Sequence, residues 1–289
     1  MSSLKEIRAR INSVASTEKI TNAMRMVSAA KLKKTEGATM SFLPYRDKLS
    51  EALSNYLSAL DENVSIPLAE QREVKRVAII AFASDSGLCG VYNANASKLF
   101  QKTYDDYVQL LGNEQVQVHL FGKKLCDYAA KNDIAAVTHP GLDEQLSYDL
   151  ATQLSDLMTE QFLNHDIDRV VMVYNHFKNA GVQVPQCDTI LPLATDTLKS
   201  GTAYDYLVEP SKEAFINALV PKVLRTKFYS VMLDALTAEH GARMTAMHIA
   251  SDNANALLQD LRREYNRARQ DVITTELIDI VGGAEALNH

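Results

Sequence analysis

Residues 1–36 contain neither glycine nor proline, and residues 222–289 contain no proline. Proline removes a helical N–H donor, and glycine gives up more chain entropy than any other residue on becoming helical. Both ends of the chain are therefore free to form long, unbroken helices. Most of the turn formers lie in the middle. A length of 289 residues fits two ordinary domains or one large one. The uneven punctuation favours a third arrangement, in which one compact α/β domain interrupts a single long helical hairpin.

Hydrophobic spacing supports the helical ends. Leu4, Ile7, Ile11 and Val14 are spaced as the seam of a heptad. The phase slips at Ser16-Thr17-Glu18, after which Ile20, Met24 and Val27 form a new stripe. Pro44 is expected to interrupt or kink this helix, and Asp61-Glu62-Asn63 with Pro67 to end it. The second helix is expected to open at Ser211, an N-cap type after Pro210. Leu224, Phe228, Val231, Ala235, Ala238 and Ala242 then keep a 4-3-4-3-4 spacing in which Gly241 is the weak point. Leu258, Leu261, Tyr265, Ala268 and Val272 continue the stripe, and Ile273, Leu277 and Ile280 form a neighbouring one. At about 1.5 Å per residue, about 70 helical residues reach on the order of 100 Å, more than a compact domain spans. The cheapest way to bury both stripes is an antiparallel coiled coil of residues 1–62 with residues 210–289.

The middle, residues 73–205, alternates strand and helix patterns, as in a mainly parallel, Rossmann-like sheet. Residues 77–82, 116–121 and 169–174 read as strands, and 92–111, 123–131 and 146–164 as helices. Val182–Leu193 follows Ala180-Gly181 closely enough to form an antiparallel hairpin with the preceding strand.

Charge and cysteine content narrow the function. Residues 1–48 carry a balance of +6, residues 49–209 one of -11 and residues 210–289 one of -1. The basic start invites a nucleic-acid reading, but the acidic middle would repel phosphate. No run of about 18 apolar residues spans a membrane, and the N-terminus lacks the apolar core of a signal peptide. Cys89, Cys126 and Cys187 are far apart and lack metal-ligand spacing, so they read as buried free thiols.

The loop Ser84-Asp85-Ser86-Gly87-Leu88-Cys89-Gly90 follows the first strand, where α/β folds bind phosphates. Its glycines are three apart, and the dinucleotide fingerprint needs another at position 85, which is Asp. Two readings stand here: a nucleotide-binding α/β enzyme using residues 84–90, or a tight turn that needs glycine. Cys89 near a helix start has the place of a nucleophile, yet the histidines are dispersed and packing explains it better. His240 and His248 lack an acidic partner at metal spacing. The pattern thus carries no catalytic, cofactor or metal signature. What remains are interaction surfaces: Lys31, Lys33 and Lys34 beside Met24, and Arg262, Arg263, Arg267 and Arg269 near the other end.

These segments together resemble the γ-subunit family of F-type ATP synthases. The resemblance rests on Lys5-Glu6-Ile7-Arg8 and Thr17–Val27, on Asp85–Gly90, and on an ending that includes Arg243-Met244, Asp252-Asn253-Ala254, Tyr265–Gln270, Ile273-Thr274, Glu276 and Ile280–Ala284. It covers essentially the whole chain in order. The resemblance implies a non-catalytic central-stalk rotor without a cofactor, sitting peripherally at the cytoplasmic face of a bacterial inner membrane. Its partners would be a hexamer of α and β subunits, the ε subunit and the c-ring. By position, Met24, Lys31, Lys33, Lys34, Arg269, Gln270, Thr274 and Glu276 match contacts to β. Tyr206 and Glu209 match contacts to the c-ring and ε. Ser86 departs from the arginine usual at its place in the central motif.

Overall fold

The computed structural model describes residues 4–58, 66–139, 141–193 and 212–287. In chain order they form α1 (Leu4–Ser58), β1 (Val77–Phe82), α2 (Tyr92–Leu111), β2 (Val116–Phe121), α3 (Lys123–Lys131), β3 (Val137–His139), α4 (Leu142–Gln145), α5 (Tyr148–Leu163), β4 (Arg169–Asn179), β5 (Val182–Leu191) and α6 (Lys212–Leu287). Two compact units result: Ser28–Arg243, and Met1–Val27 with Met244–His289. Both division points fall inside the long helices α1 and α6.

The larger unit holds one five-stranded sheet in the order β3-β2-β1-β4-β5. β1 runs parallel to β2 and β4, β2 to β3, and β5 closes the edge antiparallel to β4. β1 is buried on both faces, which explains its uninterrupted apolar run. Val77, Ile79 and Ala81 pack with Phe100 of α2 and Leu125 of α3. Ala78, Ile80 and Phe82 face the opposite way, into a core shared with Met158 and Phe162 of α5, Leu53 and Leu57 of α1, and Leu224 and Phe228 of α6. The chain passes from β1 outward to β3, then returns to place β4 on the other side of β1. The crevice beside the carboxyl end of β1 is therefore the switch point at which open α/β sheets bind their ligands.

In the smaller unit, Ile7 of α1 and Met247, Ala254, Leu258 and Leu261 of α6 are buried. Thr21 Oγ1 of α1 and Ser251 Oγ of α6 share a hydrogen bond of 2.8 Å. No helix among the described residues is long and apolar enough to cross a membrane.

Several expectations need correction. α1 continues through Pro44. The proline is exposed, so the carbonyl it leaves unpaired is free to meet water, while Phe42 beside it packs edge-on against Tyr229 at 4.8 Å. The stripe Ile20-Met24-Val27 is not the inward face, because Ile20 and Val27 are 60% and 57% exposed. α1 instead buries Ser28, Leu32 and Thr35; the Thr35 hydroxyl donates to the Leu32 carbonyl. β3 was not anticipated, being three residues long. Cys89 is a buried free thiol as expected, but Cys126 is half-buried and Cys187 is exposed on the edge strand β5. Ser211 and residues 61–63 lie outside the described residues.

Candidate functional site

The loop after β1 spends its polar groups on its own surroundings. Ser84 Oγ lies 2.6 Å from the Ser86 carbonyl and 2.9 Å from Asn93 Oδ1. Asn93 Nδ2 donates to Cys89 Sγ at 3.1 Å. Leu88 and Gly90 both take left-handed backbone, with φ of 62° and 60°, which folds the loop back on itself. Asp85 Oδ1 accepts the Lys123 N–H at 2.9 Å and so caps α3, whose own N-cap, Gly122, has no side chain. The fit is tight: a Cβ on Gly141 would sit 1.8 Å from Asp85 Oδ2, and one on Gly122 would sit 2.1 Å from the Ala83 carbonyl oxygen.

The switch-point crevice is filled by α6. Cys89, Tyr92, Ala238 and Ala242 form a small buried cluster against which Phe177 packs. The Tyr92 hydroxyl donates to the Ala235 carbonyl at 3.0 Å, and Arg243 donates to Ser86 Oγ at 3.0 Å. Arg243 also pairs with Glu239 at 2.8 Å, one helical turn back, with both side chains almost wholly buried. Burial pushes the Glu239 carboxyl above the usual carboxylate range, against the pull of Arg243. His240 Nε2 lies 3.3 Å from Asp143 Oδ1, and Lys31 donates to Asp143 Oδ2 at 2.6 Å. Burial lowers the His240 pKa to about 4, so at neutral pH its contact with Asp143 is a hydrogen bond from an uncharged ring. Further back on α6, Asp234 meets His176 Nδ1 at 2.6 Å and accepts the Phe177 N–H at 3.0 Å. Gly241 is not a weak point. A Cβ there would come within 2.9 Å of the Phe177 ring and 3.4 Å of the Ala180 backbone, so glycine is what lets the β4–β5 hairpin lie on the helix.

Among the expected contact residues, Lys31 is held by Asp143, while Lys33 and Lys34 are exposed on the same helix. Met24 is half-buried in the smaller unit. Arg269, Gln270, Thr274 and Glu276 are all exposed on α6, and no described residue forms an ion pair with Arg269 or Glu276. Thr274 returns its hydroxyl to the Gln270 carbonyl at 2.9 Å. Around them stand Val272, Ile273, Leu277, Ile278, Ile280 and Val281, every one exposed, Leu277 by 57% and Ile280 by 68%. Tyr206 and Glu209 lie outside the described residues. Sequence reasoning overlooked Asp143, Asp234, Glu239 and the structural part of His240. Only the Glu239–Arg243 pair left a readable signal, opposite charges four residues apart on an otherwise apolar stretch.

A family model described as ATP synthase matches residues 3–287. The ATP synthase gamma chain of Bacteroides fragilis is 45% identical over 292 residues, covering 99% of this chain and 100% of its own length. That of Flavobacterium johnsoniae is 45% identical over 289 residues, covering 100% of both. Among solved structures, a chain of the Euglena gracilis mitochondrial ATP synthase aligns with a TM-score of 0.67 over 98% of this chain and 94% of its own, at 21% identity. A chain from the central stalk and c-ring of the Tetrahymena thermophila enzyme aligns with a TM-score of 0.59 over 80% and 99%, at 22% identity. At such identities the structural likeness shows a shared fold.

Proposed function

The chain belongs to the ATP synthase gamma-chain family, and on that premise we propose that it is the central-stalk rotor of an F-type, proton-translocating ATP synthase. Residues 1–62 and 210–289 are its shaft, which turns inside a hexamer of alternating α and β subunits. Residues 73–205 form the domain that rests on the c-ring together with ε. Proton flow turns the ring, the shaft turns with it, and each β subunit adopts the conformation favoured by the face it meets. The rotor is a component of the complex and makes or breaks no bond itself. It sits peripherally, on the cytoplasmic face of the inner membrane.

The observation that carries this reading is the far end of α6. Val272, Ile273, Leu277, Ile278, Ile280 and Val281 stand exposed on a helix that also presents Arg269, Gln270, Thr274 and Glu276. Apolar side chains on several sides of one helix call for an enclosing protein wall rather than water. Arg269 among them suits a register contact to an acidic partner loop. Lys33 and Lys34, with Met24, extend the β-contacting surface along α1, with Lys31 shared between β and Asp143. Tyr206 and Glu209 serve the c-ring and ε. The nucleotide-enzyme alternative is disfavoured by the commitment of the 84–90 loop to α6 and α3.

Reconstitution with α and β subunits tests the proposal, the expected outcome being a stable complex with ATPase activity. In the assembled enzyme, the double variant Arg269→Ala, Gln270→Ala should weaken ATP-driven proton pumping. Pumping equal to wild type would remove these residues from the interface.

A further inference from the structure

α6 changes character sharply along its length. Every residue from 235 to 243 is buried, whereas every residue from 271 to 281 whose exposure is described is exposed. Helical residues point outward at about 100° intervals, so nine consecutive buried positions mean protein on all sides. Three separate segments of the larger unit supply that wall. The β1–α2 loop and the start of α2 contribute Ser86, Cys89 and Tyr92; α4 contributes Asp143, itself tied to Lys31 of α1; the β4–β5 hairpin contributes His176, Phe177 and Ala180.

The contacts are of two kinds. The methyl groups of Ala238 and Ala242 make apolar contacts, which carry no directional preference of their own. Asp234, His240 and Arg243 are directional pins: each holds a hydrogen bond to a named group of the wall, and they project at different angles around the axis, while Glu239, one turn back on the same helix, holds the Arg243 guanidinium in place. A collar with pins on several sides resists rotation of the helix within the domain, which apolar packing alone does not.

We infer that residues 234–243 of α6 and the three segments around them form a torque clasp, which locks the rotation of the helix to that of the α/β domain, with Glu239 and Arg243 as its positioning residues. The inference rests on the rotor reading and adds a site to it. Neither residue is among those assigned to β, ε or the c-ring. Removing the Glu239 charge takes away the support of Arg243, so one of the three pins is loosened. For equal pins acting in parallel, losing one of three raises the angular variance about 1.5-fold.

The test is a single-molecule rotation assay on the reconstituted complex with α and β, the probe attached through Cys187, the exposed thiol of the α/β domain. Angular fluctuation is recorded during the pauses of ATP-driven rotation. Glu239→Gln should raise the variance of the distribution about 1.5-fold, with ATP hydrolysis by the hexamer retained. Arg243→Lys, which keeps the charge, should fluctuate less than Arg243→Gln. Equal widths in wild type and both neutral variants would overturn the clasp. A wild-type complex that assembles but does not rotate would instead overturn the rotor reading. Should the variants fail to assemble, hydrogen exchange of the assembled wild type decides. Amides 235–243 should rank with the slowest, and exchange as fast as at residues 271–281 would overturn the clasp.

Discussion

Acid should destabilise this protein through His119, by an amount the structure allows to be worked out. His119 is 2% exposed on β2. Its Nε2 lies 2.8 Å from Gln117 Nε2, and its Nδ1 lies 3.1 Å from Nε2 of His139 on the neighbouring strand. With the Gln117 amide donating to Nε2, the ring carries its proton on Nδ1 and passes that hydrogen bond to His139. Both nitrogens are then used in the uncharged state, and a second proton finds no acceptor. Burial, followed by the neighbouring His139, lowers the pKa to about 4. An unfolded histidine titrates near pH 6.5. Between these values the unfolded chain binds more protons than the native one, so stability falls as the pH falls through this window. The linkage gives a loss of about 2 kcal/mol at about pH 5, rising to about 3 kcal/mol near pH 4. Urea unfolding followed by circular dichroism at about pH 7 and about pH 5 measures it, with His119→Gln as the comparison. Groups common to both proteins cancel in the difference, so the variant should show about 2 kcal/mol less acid sensitivity than wild type. Identical pH dependence in the two would refute the reasoning.

Two further substitutions probe the framework of the site. Gly122→Ala combines a φ of +92° with a Cβ placed 2.1 Å from a backbone oxygen. It should cost more than about 3 kcal/mol, read as a lowered urea midpoint. Phe228→Ala empties a fully buried position in the core shared by α1, α5 and α6. The expected loss is about 3–5 kcal/mol in the same assay, and a loss below about 1 kcal/mol would mean that the core collapses around the gap.

Periodicity carried the sheet well, because strands buried on both faces leave uninterrupted apolar runs. β1 and β2 fall on residues 77–82 and 116–121, and α2 and α3 on 92–111 and 123–131, as their patterns predict. The hairpin of β4 and β5 was legible from Ala180-Gly181. β3 was not, since three residues cannot display a period. The inner face of α1 was misread for a different reason. Hydropathy favours Ile20 and Val27 as core, but the helix buries Ser28 and Thr35 beside Leu32, and the Thr35 hydroxyl is satisfied by the Leu32 carbonyl within the helix, which hydropathy does not register. The collar around α6 was legible only in fragments. Its residues come from positions 31, 86, 92, 143, 176 and 239–243, and nothing in a linear spacing announces that Asp143 and Lys31 meet.

The exposed apolar end of α6 also bears on the chain before assembly. A newly made copy carries Val272, Ile273, Leu277, Ile280 and Val281 uncovered, a surface able to adhere to the same surface on another copy. Its handling should therefore depend on supply: expressed without the subunits proposed to enclose it, the chain should self-associate through this tail and occupy chaperones. On the rotor reading, balanced synthesis with the subunits proposed to enclose it matters to this helix as much as any contact in the assembled complex.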